Sequence, residues 1–296
     1  MNKGYPIILT GYIGWGLFPL YWALLAHVPA LEVLLHRILW SVPFLLFLVM
    51  LSKRRRSQVF AAFHSWHEIG YLSCSSLLIC FNWGIYIWAV LNNRVIEASM
   101  GYFLTPLFNV MAGMLFFGEK LNRLKLTALA FAATGVLYYI STATAIPWIG
   151  LTIGLSFALY GLLRKKMKTN AIPGLLIETL LLLPVTLGLI IWLHHGGTAL
   201  FLNHNRPTDL LLILGGLITV LPLAFFTAGT RMLPMTTVGI LFYVTPTLQF
   251  LSGILVLGEA FNIDKLIGFT GIWIGLAVFT YSLLSDNTKD RAELPK

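Results

Sequence analysis

The chain alternates between long apolar runs and short polar joints. The runs cover about residues 5–25, 31–51, 70–91, 96–117, 124–142, 147–163, 172–193, 209–230, 236–257 and 265–285. Each approaches the roughly 20 residues that a helix needs to cross a hydrocarbon core. None shows the strict alternation of a barrel strand, and in lipid only helices and closed barrels satisfy their own backbone. The pattern therefore predicts an all-α polytopic membrane protein with ten transmembrane helices. Most joints are short and carry charge, Pro or Asn. Two are longer, Ser52 to Ile69 and His194 to Thr208. The first run follows Met1-Asn2-Lys3 and is long for a signal peptide, with no clean small-residue cleavage site after it, so it reads as a retained helix.

Composition agrees. The chain is 58% hydrophobic and 10% charged, with a mean hydropathy of +0.83. Soluble domains carry roughly 25% charged residues. A water-soluble globule of this size has no room to hide so much apolar surface, and the bilayer becomes the expected solvent.

The net charge of +9 raises nucleic acid as a partner, but the placement of the cations argues for membrane orientation instead. With Lys3 on one side and the sides alternating, sixteen of the 20 Lys and Arg fall on that side. They include Lys53 to Arg56, Lys120, Arg123, Lys125, the Arg164 to Lys168 cluster, Arg231 and the tail. Arg94, Arg206 and Lys265 fall on the other, and Arg37 lies inside a span. Cytoplasmic N- and C-termini follow. Cys74 and Cys80 lie in one helix, too far apart for a disulfide, and read as packing residues.

An internal repeat runs through the chain. Thr105, Pro106, Gly113, Gly118, Glu119, Lys125 and Gly135 recur as Thr245, Pro246, Gly253, Gly258, Glu259, Lys265 and Gly275, always 140 residues on. Gly14 and Gly154 fit the same shift. Residues 1–146 and 147–296 then form two five-helix units. Five is odd, so the second enters from the opposite side, the inverted repeat of many secondary transporters. Duplication of a plain membrane scaffold is the competing reading.

Ionisable residues inside spans are costly and mark candidate function. Glu32, His36 and Trp40 share a face of the second span, beside Arg37, and Glu178 lies in the seventh. A direct Arg37–Glu178 pair is unfavourable, because the topology separates them in depth by on the order of 12 Å. Glu32 or Glu97 is the expected partner of Arg37. These charges serve either as structural bridges or in gating and proton coupling. Trp15, Tyr21, Asn82, Tyr86, Tyr102, Asn109, Tyr160 and Gln249 are the substrate-cavity candidates, with the amides expected to point inward. Interhelical hydrogen bonding is the alternative for each. Pro106 and Pro246 are expected to interrupt matching helices and act as hinges. Gly118 and Gly258 read as helix C-caps, and Glu119 and Glu259 as interfacial residues.

Several patterns lead nowhere. Gly113 to Lys120 has the glycine spacing of a phosphate-binding loop, but Glu119 stands where Lys belongs. Gly150 to Gly154 and Gly271 to Gly275 fit small-residue helix packing. His194, His195 and His204 are a weak metal candidate, and no metal or cofactor site is expected.

Several clusters resemble the EamA type of the drug/metabolite transporter superfamily. They are His36-Arg37 with Trp40-Ser41, Asn82-Trp83, Trp88-Ala89-Val90, Glu97 through Phe103, Phe117-Gly118-Glu119, Tyr160-Gly161 through Lys166, and Ile177-Glu178-Thr179 with Pro184. The resemblance covers nearly the whole chain. It implies a permease of the bacterial inner membrane with a cavity lined mainly by spans 1, 3, 4, 6, 8 and 9. It also places spans 2 and 7 outside that cavity, which favours structural roles for Arg37 and Glu178.

The function expected is secondary transport of a small metabolite or amphipathic compound by alternating access, without enzymatic activity. The partners are a small-molecule solute and the bilayer, with a homodimer left open. A non-transporting membrane sensor and a membrane-embedded lipid enzyme are the alternatives.

Overall fold

A computed structural model describes residues 3–117, 122–142, 146–233 and 235–292. Among the described residues there are helices and no strands. The helices are α1 (Gly4–Gly16), α2 (Phe18–Ala23), α3 (Ala30–Met50), α4 (Lys53–Phe63), α5 (Trp66–Leu91), α6 (Val95–Phe117) and α7 (Arg123–Thr142). There follow α8 (Trp148–Lys166), α9 (Ala171–His195), α10 (Arg206–Gly229), α11 (Met235–Leu241), α12 (Val244–Leu251) with a π-helical continuation Ser252–Val256, and α13 (Ile263–Ala292). Seven segments are long and apolar enough to cross a membrane: α3, α5, α7, α9, α10, Val238–Val256 and Ile263–Ser282.

Every apolar run coincides with helical structure, and polar residues set the ends. Ser52, Ser65 and Asn205 cap α4, α5 and α10 through their side chains. Asn122 Oδ1 accepts from Lys125 N at 2.8 Å, and Asn262 Oδ1 from Lys265 N at 3.0 Å. One capping device thus opens both α7 and α13, 140 residues apart.

Three departures from the expected runs matter. The Ser52–Ile69 joint is not a plain loop but holds the basic helix α4. The first run bends at Leu17, before Pro19 in the first turn of α2. The ninth run breaks between α11 and α12, and Pro246 sits in the first turn of α12. By contrast α6 continues through Pro106. The expected matched interruption therefore occurs in one half only. Gly258 has a φ of +68°, as its C-cap reading requires; Gly118 and Glu119 lie outside the described residues.

Helix pairing follows a regular scheme. α6 packs on α8, and α12 on α1. α1 packs on α10, and α8 on α5. α3 packs on α10, and α9 on α5, while α3–α9, α6–α12 and α7–α13 also pair. Glycines let backbones meet at these crossings. A Cβ on Gly101 would stand 2.4 Å from Gly150 O, one on Gly154 2.6 Å from Gly101 O, and one on Gly135 2.5 Å from Gly268 O. The two small-residue stripes of the sequence, Gly150–Gly154 and Gly271–Gly275, lie at the α6–α8 and α7–α13 crossings.

Burial is inverted relative to a soluble protein. Phe47, Leu77, Leu115, Leu137, Val185 and Leu255 are well exposed, while Glu32, His36, Arg37, Asn82, Glu178 and Gln249 are buried. An apolar surface of this extent needs lipid against it.

Candidate functional site

A chain of ring contacts links helices from both parts of the sequence. Tyr86 meets Tyr102 at 5.7 Å between centroids, and Tyr102 meets Phe157 at 5.7 Å. Phe157 stacks with Tyr160 at 6.1 Å and with Phe242 at 6.5 Å. Phe242 meets Tyr12 at 5.6 Å, Tyr12 meets Trp15 at 6.1 Å, and Trp15 meets Phe226 at 5.5 Å. These rings come from α5, α6, α8, α11–α12, α1 and α10, so one aromatic wall joins both halves of the chain. Such a wall suits an apolar or aromatic solute body.

Amides and hydroxyls fix this wall. Asn82 Nδ2 donates to Ile153 O at 2.9 Å and Ser156 Oγ at 3.0 Å, and its Oδ1 accepts from Tyr102 at 3.4 Å. Gln249 Nε2 donates to Trp15 O at 3.2 Å, while its Oε1 is buried without a partner. Tyr21 donates to Leu211 O. Asn109, expected to point inward, is exposed, and its amide oxygen faces Gly161 across the α6–α8 seam. Its place late on α6, beyond the tight Gly101–Gly154 crossing, leaves it uncovered. Tyr12, Phe157, Phe226 and Phe242 join the wall without any motif in the sequence that marks them. Their only signal was aromatic residues on helices already assigned to the cavity.

Arg37 reaches from α3 into the same region. Its guanidinium carbon lies 4.0 Å from the Trp83 ring centroid, 5.3 Å from Trp22 and 5.6 Å from Phe18. Its Nε donates to Thr219 Oγ1 at 2.9 Å. Among the described residues no carboxylate pairs with it. The expected partners are engaged elsewhere. Glu32 accepts from the backbone N–H groups of Leu200 and Phe201 at 2.8–3.1 Å. Glu97 pairs with Arg94 at 2.7 Å and accepts from Ile149 N at 3.1 Å. Aromatic faces take the place of a counter-ion.

The remaining candidates are fixed too. His36 Nδ1 accepts from Trp40 Nε1 at 3.1 Å, so the predicted α3 face exists, and Phe201 covers it at 4.4 Å from the His36 ring. Glu178 accepts from Ser75 at 2.5 Å and Tyr160 at 3.2 Å, and lies 3.5 Å from Arg164. Arg37 and Glu178 thus have separate partners. Glu68, which sequence reasoning did not single out, accepts from Thr169 N at 2.9 Å and Oγ1 at 2.6 Å.

A cavity of about 440 Å³ opens at the helix ends that carry Arg94 and Lys265. Asn93, Arg94, Glu97, Tyr139, Pro147, Glu259, Ala260, Asn262, Asp264 and Lys265 line it. Glu259 spans its rim, accepting from Val95 N and, at 2.9 Å, from Ile96 N. Tyr138 donates to Asp264 at 3.3 Å nearby. Carboxylates here close helix N-termini and cross between the two halves.

Apolar helices, inward polar groups and a glycine-packed core define a multi-pass membrane protein. Residues 2–141 and again 144–281 match the EamA-like transporter family, and the chain belongs to that family. It is 39% identical over 278 residues to the protein RarD of Escherichia coli (strain K12), covering 94% of each chain. It is also 39% identical over 297 residues to the uncharacterized transporter YojE of Bacillus subtilis (strain 168), covering 95% of this chain and 94% of that one. A solved crystal structure superposes with a TM-score of 0.59 at 16% identity, covering 93% of this chain and 96% of that one; it shows a shared fold.

Proposed function

We propose that this chain is a secondary transporter moving a small metabolite or amphipathic compound by alternating access. Ten spans form two inverted five-helix units, residues 1–146 and 147–296, with both termini cytoplasmic in a bacterial inner membrane. The observation that carries this reading is the pairing scheme. If α1 corresponds to α8 and so on along each half, the pair α6–α8 maps onto α12–α1, α1–α10 onto α8–α5, and α3–α10 onto α9–α5. The pairs α3–α9, α6–α12 and α7–α13 map onto themselves. Two family matches in tandem support the same division.

Inverted halves that adopt different shapes are what alternating access needs. α6 stays whole at Pro106 while its counterpart breaks before Pro246. The aromatic wall joins helices of both halves, and Glu259 ties the N-terminus of α6 to the segment before α13 at one end of the bundle. Solute bound at the wall then leaves toward the other end, and exchanging the two shapes reverses the access. The relatives named as transporters support the class of function.

The test is a thermal-shift screen of purified protein against metabolites and antibiotics, followed by vesicle flux of each stabilising compound. Saturable flux of a stabilising compound is expected. Binding without flux of any hit overturns transport and favours a sensor.

A further inference from the structure

Five buried side-chain polar atoms lack a hydrogen-bond partner among the described residues. Three belong to side chains around the Arg37 guanidinium: Arg37 Nη1, Trp22 Nε1 and Tyr86 Oη. Arg37 is 4% exposed, Trp22 1% and Tyr86 2%. The Trp22 ring stands 5.3 Å from the guanidinium. Tyr86 follows one turn after Trp83 on α5, and the Trp83 ring stands 4.0 Å from the guanidinium. All three orphaned groups are donors, and two of them have no capacity to accept. A buried donor left unmade is costly, and a buried unpaired cation more so. The helices nonetheless bring these side chains together, and no acceptor among the described residues serves the three groups.

We propose that this cluster is the recognition site for the carboxylate of the transported solute. The inference rests on the transport reading and adds a substrate class: monoanionic compounds with an apolar or aromatic body. A carboxylate supplies one charge and two acceptor oxygens, which matches one guanidinium flanked by an indole N–H and a phenol. Thr219 holds Nε at 2.9 Å and Trp83 backs the guanidinium plane at 4.0 Å, so Nη1 is held in place before the solute arrives. From Tyr86 the ring wall leads through Tyr102 to Phe157, giving the solute body a surface continuous with its charged end. The arginine side chain reaches this cluster from α3, packed against α5 and α10.

The test uses three probes with one body: 3-phenylpropionate, its amide and 3-phenylpropylamine. Binding to the full chain in lipid nanodiscs is read by quenching of tryptophan fluorescence, and vesicle flux is measured separately. Wild type is expected to bind the acid about ten-fold or more tightly than the amide or the amine, the worth of a charge-assisted hydrogen bond. Arg37→Gln is expected to bind acid and amide alike, and Tyr86→Phe to lower the preference several-fold. If Arg37→Gln does not fold, Tyr86→Phe and Trp22→Phe carry the test through the same ratio. A purely structural role for the cluster leaves that ratio unchanged. Wild type without acid preference, no binding of any probe, or a ratio unchanged in the folded variants overturns the inference. Acid binding with no flux sinks the transport reading and leaves the site standing. Equal flux of all three probes does the reverse.

Discussion

Replacing Glu259 with Gln probes the end of the bundle that carries the mixed-charge cavity. The first intrahelical bond of α6 runs from Ala98 N to Arg94 O, so the N–H groups of Val95 and Ile96 have no partner within the helix. Glu259 supplies both acceptors from a loop more than 160 residues away. The Gln side chain keeps one oxygen, replaces the other with a second donor and removes the charge beside a helix N-terminus. Losing a charge-assisted bond costs about 1.5–3 kcal/mol, and the helix-end interaction adds about 0.3–1 kcal/mol. A net loss of about 2 kcal/mol corresponds to roughly 30-fold faster local opening. Hydrogen–deuterium exchange reads this directly in a peptide covering residues 93–98. Exchange in α9 should stay at the wild-type rate, which separates local release from unfolding. Exchange of residues 93–98 within two-fold of wild type would refute the latch.

Gly101→Leu places side-chain atoms where Gly150 O already stands 2.4 Å from a built Cβ. It should lower the melting temperature or abolish folding, at a cost of about 1–3 kcal/mol or more, checked by thermal unfolding in detergent. Glu178→Gln weakens a buried carboxylate held by Ser75, Tyr160 and Arg164. It should destabilise by about 2–3 kcal/mol, and a double-mutant cycle with Ser75→Ala should show coupling; purely additive losses would contradict the contact. Glu32→Gln removes the charge and one acceptor oxygen from the cap on Leu200 and Phe201, so it should reduce stability and leave the pH dependence of flux unchanged. A shifted pH profile would return Glu32 to proton coupling.

The ends of the helices were legible because apolar runs and polar joints obey bilayer thickness and capping chemistry. Trp66–Leu91 and Ala171–His195 extend the expected runs by only a few residues. Helix α4 was not legible as a helix, because its run of four cations reads as a solvated joint and its apolar face is short. Pro19 and Pro246 mark the breaks at Leu17 and before α12, but a proline alone does not decide between a break and a continuous helix, because α6 runs on through Pro106. Among the candidate residues, Asn82, Tyr86 and Gln249 are buried, as polar groups in a lipid-embedded chain are expected to be. The partners of the charges were not found. Charge pairing was the natural guess for Arg37, but tryptophan faces hold it. Glu32, Glu97 and Glu259 instead cap backbone N–H groups of segments distant in sequence, a role that side-chain chemistry alone does not announce.

Alternating access requires the contacts that Glu259 makes across its end of the bundle to rearrange. With Cys74 and Cys80 replaced by Ala, cysteines placed at Asn93 and Ala260, which line the same cavity, can be joined by a cleavable bis-thiol reagent. Solute counterflow in vesicles then measures transport before linking, after linking and after cleavage. The account predicts flux that stops on linking and returns on cleavage. Undiminished flux in fully linked protein would contradict it.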